Sequence, residues 1–245
     1  MNFFVTGGSR GIGGAIVLEA ARAGHNVAFT YLNRAADAAE IERRAGASAG
    51  GRVRSYQMDV RRSDSVEAVG DRVLEDFERI DVVVANAGMN RPNLLVQMGD
   101  DEWDEVVRTN LTGTFYVARY FLPPMMSQRF GRFILISSLA YRGITGQANY
   151  CASKAGLHGL AWAIAKEYGR RGITANVIVP GVFDTDMTRD GLSTANKDFW
   201  IQYCPLGRLG ELAELSKLVA FLGSEGAGFI NGQEIQVHGG LDWAP

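Results

Sequence analysis

Phe3-Phe4-Val5-Thr6-Gly7-Gly8-Ser9-Arg10-Gly11-Ile12-Gly13 is the stretch on which the fold turns. Phe3 to Thr6 is short and apolar, as a buried strand is. Glycines follow at once. From Gly13 to Ala23 the pattern becomes helical, with Ile16, Val17, Ala20 and Ala21 on one side and Gly24 as the stop. A strand, a glycine turn and a helix N-terminus in that order let backbone N–H groups approach a pyrophosphate closely. The spacing Gly7-x-x-x-Gly11-x-Gly13 departs from the commonest dinucleotide fingerprint, G-x-G-x-x-G. Its position directly after the first strand is what distinguishes it from a merely tight connection.

The same alternation continues outward. Val27–Tyr31, Val53–Met58, Ile80–Ala85, Phe133–Ile136, Ile173–Val179 and Glu234–Val237 read as further strands. Helical patterns separate them: 35–44, 63–78 with Ser63 as cap, a long stretch at 101–128, and 155–168. The long stretch is expected to break at Asn110-Leu111-Thr112-Gly113 and at Pro123-Pro124, and Gly46 to Gly51 is expected to be a turn. Seven short strands alternating with helices predict one α/β domain over 1–245, a doubly wound parallel Rossmann-type sheet flanked by helices.

At the end of the second strand an acidic residue would bind the ribose 2'-hydroxyl of NAD. The chain has Leu32-Asn33-Arg34 there, with no carboxylate before Asp37, and Arg10 stands in the glycine loop. Two cations without an acid favour a 2'-phosphate, hence NADPH (NADP). Arg34 could equally be a solvated arginine of a helix's first turn.

A second stretch carries chemistry. Ser137-Ser138 follows the fifth strand, and Tyr150 and Lys154 stand four apart, on one face of a helix that begins near Tyr150. A tyrosine near pKa 10 gives up its proton reluctantly, and a neighbouring ammonium lowers that value. The pair is a candidate proton donor and acceptor, and Ser138 could hydrogen-bond a substrate oxygen. Tyr-x-x-x-Lys alone is more simply one face of a helix.

Together these residues resemble the short-chain dehydrogenase/reductase family over essentially the whole length. The likeness rests on the Thr6–Gly13 loop, Asp59-Val60, Asn86-Ala87-Gly88, Asn110, Ser138, Tyr150-x-x-x-Lys154 and Pro180-Gly181. Asn86–Leu95, Gly146-Gln147-Ala148-Asn149-Tyr150, Pro180–Met187 and Pro205–Gly210 are most similar to 3-oxoacyl-[acyl carrier protein] reductases. The resemblance implies that Tyr150 donates the proton as hydride arrives, that Lys154 tunes it and holds the ribose, and that Ser138 polarises the carbonyl. Asn110 would hold a water leading to Lys154. Gly7, Ser9, Arg10, Gly11, Ile12, Gly13, Asn33, Arg34, Asp59, Val60, Asn86, Ala87, Gly88, Pro180, Gly181, Val182 and Thr185 would contact the cofactor. Ala85 stands where the family usually has a first Asn, and Tyr141-Arg142 is bulkier than usual in a loop expected to line the pocket. Tyr141 and Gln147 are therefore candidate substrate contacts.

The resemblance also implies an acyl carrier protein, or another acyl thioester, as partner. Arg129 and Arg171 are the expected docking cations near the pocket. Helix-end arginines that suit the helix dipole are the plainer alternative. The family expectation is a homotetramer built on the helices near 101–128 and 150–170 and on the C-terminal strand and tail, including Trp243. Residues 184–205, polar with Phe199, Trp200 and Tyr203, read as a lid. Rival readings are a ketoreductase of a specialised polyketide or polyene pathway, a dehydrogenase of a small alcohol, sugar or steroid, and a non-catalytic dinucleotide-binding sensor or scaffold.

Bulk properties narrow the classes. Net charge is -2 in 245 residues, of which 47% are hydrophobic. That argues against a generic nucleic-acid binder. No apolar run approaches the roughly 20 residues of a membrane span. Cys151 and Cys204 suggest reduced thiols, and with no leader-like start a cytoplasmic location is expected. Cys151 reads as a packed residue. His25, His158 and His238 have no partners at metal-ligand spacing, so metal chemistry and a Ser-His-Asp triad are not expected.

Overall fold

The computed structural model describes residues 1–48, 50–185 and 194–241. Seven strands form one parallel sheet in the order β3-β2-β1-β4-β5-β6-β7. They are β1 (Asn2–Val5), β2 (Asn26–Tyr31), β3 (Val53–Gln57), β4 (Val82–Ala85), β5 (Gly131–Ile136), β6 (Ile173–Pro180) and β7 (Glu234–Val237). The helices are α1 (Gly11–Arg22), α2 (Ala35–Ser48), α3 (Ser63–Phe77), α4 (Asp100–Val107), α5 (Gly113–Gln128), α6 (Ala148–Tyr168), α7 (Thr194–Tyr203) and α8 (Leu212–Gly223).

Alternate strand residues feed two cores. Phe4, Val83, Phe133 and Leu135 pack with α3, α5 and α6 on one face. Phe3, Val5, Val84, Ile134 and Ile136 pack with α1, α2 and α8 on the other. Both faces being covered explains why the strands read as nearly continuous apolar runs. The chain order reverses between β1 and β4, so a crevice opens beyond their carboxyl ends.

Four local expectations need correction. Pro123 and Pro124 do not end the helix: α5 runs through both to Gln128. Phe121, Leu122 and Met125 are buried on either side of them, and that packing outweighs the lost N–H groups near the helix end. The interruption at Asn110 is real but takes the form of one π-helical turn, Arg108–Thr112, leading straight into α5. The segment 46–51 is not all turn, since α2 continues to Ser48. Ser63 is the first residue of α3, not its cap, and its hydroxyl bonds Glu67 at 2.8 Å.

Candidate functional site

The first helix meets the end of β1 at very short range. Gly13 lies so close to the loop that a Cβ there would stand 2.2 Å from the Gly7 carbonyl oxygen and 2.5 Å from Asn86 Nδ2. Asn86 is the staple. Its amide donates to the carbonyls of Thr6 and Gly7, both at 3.0 Å, while Thr6 Oγ1 accepts the Asn86 and Ala87 N–H groups, also at 3.0 Å. The loop is thereby fixed to the exit of β4. Ala85, standing where the family has a first Asn, is buried among apolar neighbours and needs no polar partner.

This loop fits a dinucleotide phosphate. The first turn of α1 carries no acidic residue, and the side chain of its N-cap residue Arg10 makes no capping bond. Its first N–H groups and the positive end of its dipole are left to an anion. Gly11 has φ 54, and a Cβ there would meet nothing within 4 Å. The cradle is clear of protein atoms.

A cleft of about 580 Å³ runs from the loop across the sheet. Gly7, Ser9, Arg10, Gly11, Ile12, Gly13, Asn33, Arg34, Asp59, Val60, Asn86, Ala87, Gly88, Tyr150, Lys154 and Thr185 line it, as expected from the sequence. Pro180, Gly181 and Val182 do not. Gly181 pairs with Val237 at 2.9 Å, and Val182 faces a smaller cavity of about 270 Å³ with Trp200 and Cys204. The sequence reading missed Arg61, Glu105 and Ser137 in the cleft wall. Arg61 grips the Asp59 carboxylate through Nη2 at 2.8 Å and Nε at 2.9 Å, and reaches Glu105 at 3.1 Å. Asp59 therefore faces the cleft already engaged, its carboxyl held below the usual range by Arg61. An arginine two residues after Asp59 was the available signal.

The chemistry gathers where β5 ends and α6 begins. α6 starts at Ala148, so Tyr150 and Lys154 occupy its first two turns and share a face. Lys154 is 4% exposed, and its ammonium donates to the Ile136 carbonyl at 2.8 Å. Burial lowers its pKa to about 8. Burial pushes the Tyr150 phenol up, and the nearby Ser138 side chain opposes that shift; Ser138 Oγ itself accepts the Ala140 N–H at 3.2 Å. The lysine's expected lowering of the tyrosine is not what this arrangement shows. Nζ lies 5.6 Å from the centre of the Tyr150 ring and is bonded elsewhere.

Asn110 is buried in the π-turn, and its side chain does more than the sequence suggested. Nδ2 donates to the Met89 carbonyl at 3.0 Å and to Ser153 Oγ at 2.9 Å, while Oδ1 accepts the Met89 N–H at 2.8 Å. It pins the 86–89 segment to α6. A Cβ on Gly88 would stand 3.2 Å from Asn110 Oδ1 and 3.4 Å from Lys154 Nζ, so the two groups face one small space that glycine keeps open.

Other expected contacts lie elsewhere. Tyr141 turns away from the cleft to hydrogen-bond Glu234 and stack on His158, because that apolar ring with a hydroxyl finds both partners there. Gln147 is the N-cap residue of α6 and bridges to Asn93, outside the cleft. Arg129 and Arg171 precede β5 and β6, whereas Ser138 follows β5. A six-residue strand separates them by about 20 Å, so they do not flank the mouth of this chain's own cleft. Residues 186–193 and 242–245, including Trp243, lie outside the described residues. The described end of the expected lid is α7. Among the described residues no cluster of three metal-ligating side chains occurs, and no helix is long and apolar enough to cross a membrane.

The glycine-cradled cleft at the β1/β4 reversal thus reaches Tyr150 and Lys154, with Ser138 beside Tyr150. A family profile described as enoyl-(acyl carrier protein) reductase matches residues 7–242. The chain belongs to the short-chain dehydrogenase/reductase family. Within that family it is 41% identical over 239 residues to the 3-oxoacyl-[acyl-carrier-protein] reductase FabG of Haemophilus influenzae, covering 97% of this chain and 96% of that protein. The FabG of Pseudomonas aeruginosa is 42% identical over 240 residues, covering 97% and 95%. A crystal structure of a Sinorhizobium meliloti protein assigned as a short-chain alcohol dehydrogenase matches with a TM-score of 0.93 at 31% identity, over 98% of this chain and 95% of that one. The family uses a nicotinamide dinucleotide, and the cradle described above fits one.

Two outcomes are expected. Gly13→Ala forces a methyl into the Gly7 carbonyl and should cost about 2–3 kcal/mol of stability, read by urea denaturation, together with loss of dinucleotide binding. Lys154→Met removes a buried cation whose folded pKa lies below its unfolded one. Its penalty is complete below about pH 8 and vanishes as pH rises toward the unfolded value. The variant should therefore be more stable than the parent by about 1–2 kcal/mol at pH 7, with the difference fading by pH 10.5, while turnover is lost.

Proposed function

We propose that the chain reduces 3-oxoacyl thioesters, carried on acyl carrier protein, to 3-hydroxyacyl thioesters in fatty-acid synthesis, with NADPH as reductant. The observation that carries this reading is the convergence of the Ser138 hydroxyl and the Tyr150 phenol beside the buried Lys154. A serine hydroxyl beside a protonated phenol suits a ketone oxygen that must gain a proton. The relatives named for this reaction support the substrate class.

When bound, the dinucleotide supplies the hydride. Ser138 and Tyr150 hold the ketone oxygen, and the raised pKa of Tyr150 keeps the phenol protonated at neutral pH, as a proton donor requires. Lys154, anchored by Ile136 and lining the cleft, would bind the ribose hydroxyls and steady the phenolate left by proton transfer. The space over Gly88 between Asn110 Oδ1 and Lys154 Nζ suits the water that returns a proton. Thr6 and Asn86 hold the glycine loop fixed, so a pyrophosphate bound there would be held still and aligned.

The preference for NADPH rests on the exit of β2. Leu32, Asn33 and Arg34 line the cleft there and bring no carboxylate to a 2'-hydroxyl. Arg34 pairs with Asp37 at 3.2 Å, with both side chains largely exposed. An ion pair of that kind is worth about 0–1 kcal/mol and yields readily to a doubly charged phosphate. Arg10, exposed at the head of α1, adds the second cation. Tyr141, the bulky residue of the loop after Ser138, does not narrow the cleft and so gives no ground for an unusual substrate shape. For assembly we propose a homotetramer covering Trp103, Phe115 and Trp162, which are 39%, 42% and 48% exposed on α4, α5 and α6.

The test is NADPH oxidation with 3-oxobutanoyl on acyl carrier protein, run beside the free thioester, the enoyl thioester and NADH. Turnover of the 3-oxo substrate with NADPH, and little with the enoyl compound, is expected; faster reaction with NADH or with the enoyl thioester would contradict the reading. Tyr150→Phe should lower kcat by about 10³-fold with NADPH binding nearly intact. Arg34→Glu should raise KM for NADPH by about tenfold or more and leave KM for NADH unchanged.

A further inference from the structure

Behind the cleft, a polar chain outside the proton path runs from β5 through α6 to β7. His158 lies one turn beyond Lys154 and is buried. Its Nε2 stands 3.1 Å from Ser137 Oγ and its Nδ1 3.0 Å from Glu234 Oε2. The other Glu234 oxygen accepts the Tyr141 hydroxyl, and the Tyr141 ring stacks on the imidazole at 4.4 Å and 17°. Arg142 completes the outer end, with Nε donating to the Tyr141 oxygen at 2.8 Å and Nη2 lying 3.9 Å from Glu234.

Protonation states follow from the surroundings. Burial lowers the His158 pKa more than Glu234 raises it, so the ring is neutral at neutral pH. Hydrogen bonds from Tyr141 and Gln236 keep Glu234 ionised against its partial burial. Nδ1–H therefore donates to the carboxylate, and Nε2 is an acceptor. The Ser137 proton then lies between two acceptors of α6: His158 Nε2 and the Lys154 carbonyl, the latter also at 3.1 Å. Serine, imidazole and carboxylate in this order resemble a nucleophilic triad. Ser137 is only 3% exposed, however, and its hydroxyl is turned onto the helix.

What the chain does is visible from the register of β5's exit. Three successive residues there meet α6. The Ile136 carbonyl holds Lys154 Nζ, Ser137 holds His158 and the Lys154 carbonyl, and Ser138 stands beside the Tyr150 phenol. The middle contact is the one braced from behind by Glu234 and Tyr141. We propose that His158 is a positioning residue for the proposed reduction: clamped by Glu234 and Tyr141, it fixes Ser137 and so sets Ser138 and Lys154 against Tyr150. The proposal rests on the reductase reading for its rate effect but not for its geometry. A displacement of a fraction of an ångström at such a site slows chemistry without weakening ligand binding.

The test compares His158→Phe, which keeps a ring under Tyr141 but neither nitrogen, with His158→Gln, which retains a group able to bond Ser137. In His158→Phe, kcat should fall about tenfold, with KM for NADPH and for the thioester within twofold. His158→Gln should recover most of the loss. Ser137→Ala in the His158→Phe background should add little, because both act through one contact. Amide hydrogen exchange needs no turnover: the Ser137 N–H, bonded to the Ile178 carbonyl at 2.8 Å, should exchange faster in His158→Phe while Phe4 in β1 is unchanged. Unaltered kcat and unaltered Ser137 exchange would overturn the proposal, as would equal acceleration at Phe4, the mark of general destabilisation. If wild-type protein binds NADPH but turns over no 3-oxoacyl thioester, the substrate reading fails and the exchange result alone decides the clamp. If His158→Phe does not fold, Glu234→Ala removes the acceptor of the His158 Nδ1–H, and unchanged kcat and exchange there would count equally against it.

Discussion

The site is organised by one bond: the Lys154 ammonium donating to the Ile136 carbonyl inside the protein. A lysine 4% exposed is costly to keep charged, and its pKa of about 8 measures that cost. Among the described residues no carboxylate pairs with it. Its partner is instead the last peptide of β5, an interior strand of the sheet. The charge is thus held where a strand ends, a helix begins and the cleft passes. An anionic phenolate or a ribose hydroxyl brought there meets a cation with little water around it, which strengthens the interaction.

The second constraint is the closeness of the first helix to the first strand. Gly13 must be glycine because the Gly7 carbonyl and the Asn86 amide occupy the place of a side chain. Asn86 in turn joins the loop to β4, the strand on the other side of the topological reversal. The glycine loop and the Tyr150–Lys154 cluster therefore belong to neighbouring strands of one sheet, β1 and β4 against β5, with strand ends a few ångströms apart. Sheet order positions the two halves of the site, and short-range hydrogen bonds fix each half.

Much of this was legible in the sequence because the signals were local. Thr6 to Gly13 sits between an apolar run and a helical period, and Tyr150 and Lys154 are one helical turn apart, so neither needed long-range knowledge. The errors share a cause of the opposite kind. Pro123 and Pro124 would end a helix taken alone, but burial of Phe121, Leu122 and Met125 carries α5 through them. Tyr141 sits in a loop beside Ser138, yet its partners come from 17 and 93 residues away, His158 and Glu234. Val182 follows the motif Pro180-Gly181 but faces the smaller cavity once β6 has paired with β7. Arg129 and Arg171 were grouped with the pocket by resemblance, and only the direction of β5 and β6 places them at the opposite end of the sheet. His158, isolated in the sequence, found its partners only through the fold.

The measurement that tests this account most directly is the pKa of Lys154 in the cofactor-free protein, read by NMR titration of its side-chain carbon and nitrogen signals. A midpoint near 8 is expected, with the ammonium still bonded to Ile136 below it. A midpoint at or above the ordinary lysine value of about 10.4 would mean that the ammonium is solvated, and that the buried cation on which the site is built is not there.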